Sequence, residues 1–127
     1  MGPKSRESTA NLGKLGEIAA CQELERRGYA ILATRYRTRF GEIDIVAEEG
    51  GVVVFVEVKA RRTARYGTAA ESVPVWKRRR IGAMALDYLA WTRRLNSPCR
   101  FDVVAIDGLG TDERTVRVYE NAFVFDR

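Results

Sequence analysis

The chain has no histidine and only two cysteines, Cys21 and Cys99. The first absence removes Ser-His-Asp and Cys-His nucleophilic machinery, because both need an imidazole as base. The two scarcities together take away the ligands of a structural zinc site. Cys21 falls in a helical pattern and Cys99 at the start of an expected strand, with no C-x-x-C spacing. Both therefore read as buried free thiols in a reducing compartment. No apolar run approaches the roughly 20 residues that cross a bilayer. The N-terminal stretch MGPKSRESTANLGK lacks the apolar centre of a secretory signal. A cytoplasmic protein without membrane association is the expectation. Any metal in such a chain must be held by oxygen, which points to Mg2+ or Mn2+.

What is present fits one ordinary domain. The 127 residues are 46% hydrophobic and 31% charged, enough for a core without disulfide staples. Residues 1–8 are polar and are expected to be disordered, leaving 9–127 as a single domain. The formal net charge is +5, which allows a polyanionic partner. Its placement along the chain matters more than its sum.

Periodicity gives the order of elements. Leu12, Leu15, Ala19, Ala20 and Leu24 recur at helical spacing, and Gly28 stands where a C-terminal cap belongs, so a helix is expected over about 9–27. YAILATRYR reads as a strand. GEIDIVAEE and VVVFVEVKA flank Gly50 and Gly51 as a hairpin. A long polar loop leads to a second helix, about 75–94, with Ile81, Met84, Ala85, Tyr88 and Leu89 on one face. CRFDVVAID and TVRVYENAF supply two more strands. The fold class is α/β, in the order α-β-β-β-α-β-β.

The hairpin carries charges that need an explanation. Side chains alternate faces along a strand, so Glu42, Asp44 and Val46 share one side and Ile43 and Ile45 the other. Phe55, Glu57 and Lys59 likewise share a face opposite Val54, Val56 and Val58. With a turn near 49–51, Asp44 and Glu57 fall close to facing positions. Read from the residues alone, Asp44, Glu57 and Lys59 fit either of two roles. One is a solvated cross-strand ion pair, worth about 0.2–1 kcal/mol. The other is a divalent-cation site in which the carbonyl of Val58 adds an oxygen ligand. In the second, the ion polarises a phosphodiester and Lys59 orients a nucleophile or stabilises charge.

GEID, then FVEVKAR after the turn, with GKLGEIAA before and RFDVVAI after, resembles the YraN-like family of small bacterial proteins. That family is in turn similar to Holliday-junction resolvases and the wider PD-(D/E)xK nucleases. The likeness runs from about Asn11 to Ile106. It implies a restriction-endonuclease-like fold, a central mixed sheet of about five strands flanked by helices. It also implies a Mg2+- or Mn2+-dependent endonuclease that hydrolyses DNA, branched or single-stranded. Asp44 and Glu57 match the metal-binding acids, Lys59 the catalytic lysine, and Glu17 the helix acid that supplies a further ligand. Glu71, Ser72 and Lys77 match positions that contact substrate. The proline that often precedes the first acid is replaced by Ile43. A homodimer is implied by the resemblance alone.

Basic residues lie on both sides of this motif. Arg35, Arg37 and Arg39 precede GEID, while Arg61, Arg62 and Arg65 follow VEVK, and WKRRR opens the second helix. This pattern suits contact with a phosphate backbone without base readout. Phe40 is expected in the core, and Tyr66 is a candidate for stacking on bases. The alternative reading keeps the fold and the basic clusters as a nucleic-acid-binding module without catalysis.

Overall fold

Val52–Val56 and Val103–Ile106 read as unbroken apolar runs, as strands must when both of their faces are covered. The computed structural model describes residues 3–62 and 73–123, with side chains from residue 12 onward. Its elements are α1 (Pro3–Arg26), β1 (Ala30–Thr38), β2 (Gly41–Glu49), β3 (Val52–Ala60), α2 (Val75–Trp91), β4 (Cys99–Asp107) and β5 (Thr115–Phe123). The order is the one read from periodicity, and α1 begins ahead of Thr9. The five strands form one sheet in sequential order, with β3 and β4 parallel and every other pair antiparallel. A parallel pair cannot be closed by a tight turn. Between β3 and β4 the chain runs through α2.

The helices cover opposite faces. On one, Ile81, Met84, Ala85, Tyr88 and Leu89 of α2 pack with Val46, Phe55, Phe101, Val103 and Phe123. On the other, Ala19, Ala20 and Leu24 of α1 pack with Ile45, Val54, Val56, Val104 and Ile106. Gly16 sets how close α1 approaches: a Cβ built there would lie 2.7 Å from the Cβ of Ala60. The helix therefore meets the sheet through its small residues. Leu15, expected on the apolar face, is turned away and 51% exposed. At the β2–β3 turn, Gly50 and Gly51 have φ of +59° and +82°, which two-residue hairpins of the primed type require.

One charged group is wholly enclosed. Asp102 of β4 accepts from the Tyr29 hydroxyl at 3.0 Å, Arg100 Nε at 3.1 Å and the Asn121 amide at 2.9 Å. These donors satisfy a carboxylate whose unpaired burial would cost several kcal/mol. Cys21 and Cys99 form no disulfide, and both are half-buried where full burial was expected. Among the described residues no helix is long and apolar enough to cross a membrane.

Candidate metal centre

β2 pairs with β3 from Glu49↔Val52 to Ile45↔Val56, and the same register carries Asp44 opposite Glu57. The next rung is built differently. The Oδ2 of Asp44 accepts from the amide of Val58 at 2.7 Å, so a side chain stands where a backbone carbonyl would. On its other edge β2 pairs through Thr34↔Ile45 and Tyr36↔Ile43, and Arg35 between them has φ of +49°. Ile43 packs in the α2-side cluster but Ile45 in the α1-side cluster. Residues two apart in a regular strand share a face. The expectation that these two isoleucines do so is therefore corrected. The strand rotates between them, and Asp44 sits at the rotation point, opposite a left-handed Arg35.

This placement sets the electrostatics. The carboxyl of Asp44 is pushed up to about 7, first by burial, then by the neighbouring Glu57 carboxylate and its hydrogen bond. The Val58 amide and the Lys77 ammonium act in the opposite direction. Asp44 therefore keeps its proton below neutrality, beside and hydrogen-bonded to Glu57. Glu57 follows Phe55 towards α2, where its Oε1 meets Nζ of Lys77 at 2.5 Å. Lys59 is half-buried, and its ammonium is held below the ordinary lysine range by burial and then by Lys77 and Arg61, against the pull of Glu57 and Asp44.

A pocket of about 330 Å³ opens on the α1 side of the gap, lined by Leu12, Gly13, Glu17, Asp44, Val58 and Ala60. Glu17 thus reaches the pocket that Asp44 lines, although its carboxylate is paired with Nε of Arg35 at 3.1 Å. Among the described residues no three acidic side chains already converge as a metal cage. Asp44 and Glu57 are in contact, the Val58 main chain lies beside them, and Glu17 would have to leave Arg35 to join.

The basic residues divide. Lys77, expected to meet substrate, stands inside the site on Glu57. Arg61 is half-buried directly after β3, and Arg62 is exposed. Arg37 is exposed and paired with Glu42 at 2.9 Å. The guanidinium of Arg39 lies 4.9 Å from the ring centroid of Phe40. Phe40, expected in the core, is instead 42% exposed at the β1–β2 tip. There the amide of Phe40 donates to the Thr38 hydroxyl, which donates in turn to the Gly41 carbonyl, both at 3.0 Å. Arg65, Tyr66, Glu71 and Ser72 lie outside the described residues. The sequence reading named Arg35 and Lys77 as basic residues near the motif or substrate, but not as the partners of Glu17 and Glu57. Both contacts are tertiary, and no local spacing announces them.

Comparison with known proteins gives a consistent family. A family described as "Uncharacterised protein family UPF0102" matches residues 16–106, a span that contains every acid and lysine of the site. A UPF0102 protein of Symbiobacterium thermophilum is 49% identical over 113 residues, covering 88% of this chain and 95% of the relative. One from Alkaliphilus metalliredigens is 41% identical over 113 residues, covering 89% and 97%. One from Syntrophus aciditrophicus is 52% identical over 101 residues, covering 77% and 79%.

Proposed function

This chain belongs to the UPF0102 family, and from the carboxylate pair in its sheet gap we propose that it is a divalent-metal-dependent nuclease acting on DNA. The observation that carries the reading is Asp44 against Glu57, with Asp44 buried enough to hold its proton to about pH 7. A cation joining two such acids would let both ionise at lower pH. The donors are all oxygen, which suits Mg2+ or Mn2+. Asp44, Glu57 and the Val58 carbonyl would hold the ion, with Glu17 as a further ligand. Bound there, it would supply Lewis-acid polarisation of a phosphodiester.

The chain's own groups supply the rest. Lys59 is a half-buried ammonium beside the pair, with its proton loosened by burial and by Lys77. Such a group can orient a nucleophile, pass a proton, or stabilise charge developing on phosphate. Arg61 and Arg62 continue β3 past the site, and Arg37 and Arg39 stand at the hairpin tip, where they can bind backbone phosphates. Preference for branched or single-stranded DNA follows from the resemblance to resolvase-like nucleases and belongs to the proposal.

The test is a Mn2+-supplemented assay on branched, single-stranded and duplex DNA, comparing the wild type with Lys59→Ala and Asp44→Ala. The reading expects cleavage that needs the ion and is lost in both variants. DNA left intact but bound, with affinity unchanged by Asp44→Ala or a chelator, would instead identify a non-catalytic binding module.

A further inference from the structure

Helix α2 has a second stripe outside its buried face, of which Ala83 and Asp87 also border a pocket with Arg37, Arg39 and Phe40 of the β1–β2 tip. Its inner face is buried through Ile81, Gly82, Met84, Ala85, Tyr88 and Leu89. On the outer face Trp76, Arg80, Ala83, Asp87 and Trp91 follow one another three or four residues apart, so they form one continuous line. Trp76 is 62% exposed and Trp91 78%. The guanidinium of Arg80 lies 5.2 Å from the Trp76 ring centroid. Neither Arg80 nor Asp87 forms an ion pair among the described residues.

We propose that this stripe is a self-association surface, occupied by the same stripe of a second copy running antiparallel. The order of residues carries the inference, because the stripe is complementary to its own reverse. Reversed against itself, it sets Trp76 against Trp91 of the second copy and Arg80 against Asp87 of the second copy. Ala83 falls at the midpoint, where a small side chain lets two helices approach. A parallel arrangement would oppose Arg80 to Arg80 and Asp87 to Asp87. The antiparallel one satisfies both charges twice over, as a two-fold interface does. Tryptophan and arginine are also the residue types enriched where such interfaces concentrate their energy.

The area is adequate. At their exposures the four tryptophans of a pair offer on the order of 400–700 Å². Val75, itself 59% exposed, and the charged pairs add to it. The total approaches the roughly 1,000 Å² that a specific interface needs. The arrangement would also set Lys77 of the two copies about 20 Å apart along the helix axis, at 1.5 Å per residue. One nucleic acid could then meet two candidate sites. That use rests on the nuclease reading, but the association itself does not.

Light scattering on the full chain at micromolar concentration tests it, with circular dichroism confirming the fold of each variant. The wild type should show twice the 14.3 kDa chain mass. Arg80→Asp and Asp87→Arg should each weaken association at least about tenfold, since each opposes like charges at two symmetric places. The double exchange, Arg80→Asp with Asp87→Arg, should restore the dimer. A monomeric wild type, a dimer indifferent to Arg80→Asp, or a double exchange as monomeric as the singles would overturn the proposal. So would a monomer whose Trp76 and Trp91 fluorescence is quenched by DNA, because the stripe would then belong to nucleic acid. None of these outcomes depends on whether the protein cleaves.

Discussion

In the presence of a chelator, the free protein should lose stability as pH rises from about 4 to about 7, and Asp44→Asn should remove that loss. The folded Asp44 holds its proton to about pH 7, against an ordinary value of 3.8. Between those values the native state binds more protons than the unfolded state, so stability falls with rising pH. The contribution is complete below the ordinary value and gone above about 7. At about 1.4 kcal/mol per pKa unit, the full span comes to about 4 kcal/mol. That is a large fraction of the roughly 5–15 kcal/mol that holds a small domain together. Asn keeps the geometry, because its carbonyl can accept from the Val58 amide while its amide donates to Glu57. Its charge does not change with pH. Urea unfolding of both proteins from about pH 4 to pH 8 gives the comparison. The expected result is a wild-type free energy close to that of Asp44→Asn near pH 4, falling several kcal/mol below it by pH 8. Parallel pH profiles for the two proteins would refute the reasoning, because Asp44 would then titrate alike in both states.

Further outcomes follow from other parts of the fold. Gly16→Val should lower stability by about 1–3 kcal/mol, because its side chain must enter the space of Ala60. Gly13→Ala, with nothing within 4 Å of the new Cβ, should leave stability unchanged or raise it by up to about 1 kcal/mol, and thermal denaturation separates the two. Tyr29→Phe should cost about 1–3 kcal/mol in urea, since it takes one donor from the buried Asp102 carboxylate and one acceptor from Arg100. Lys77→Met removes the cation paired with Glu57, so carboxyl carbon NMR should find Asp44 holding its proton to higher pH.

How much of this could be read in advance depended on whether the signal was local. Strand alternation and the two turn glycines located β2 and β3, and their register, which carries Asp44 opposite Glu57, follows from the turn alone. The inner face of α2 followed from 3.6-residue periodicity, and its five named apolar residues are buried. The rotation at Asp44 was not legible, because it depends on a left-handed arginine in the neighbouring strand. Leu15 matched the helical period yet lies outside the core, because the close approach at Gly16 decides which part of α1 meets the sheet. Phe40 looked like a core aromatic, but the hydrogen bonds of Thr38 hold it in an exposed turn. Lys77 stands far from Glu57 in sequence, and only the packing of α2 makes it a member of the site.

Asp44 and Glu57 are proposed to form a divalent-cation site. Mn2+ titration by calorimetry near pH 6.5, repeated in buffers of different ionisation enthalpy, tests it most directly, because it counts the protons released as the ion binds. One Mn2+ should bind per chain with proton release, and both signals should be lost in Asp44→Asn. Absence of binding, or binding that releases no proton and survives Asp44→Asn, would contradict it.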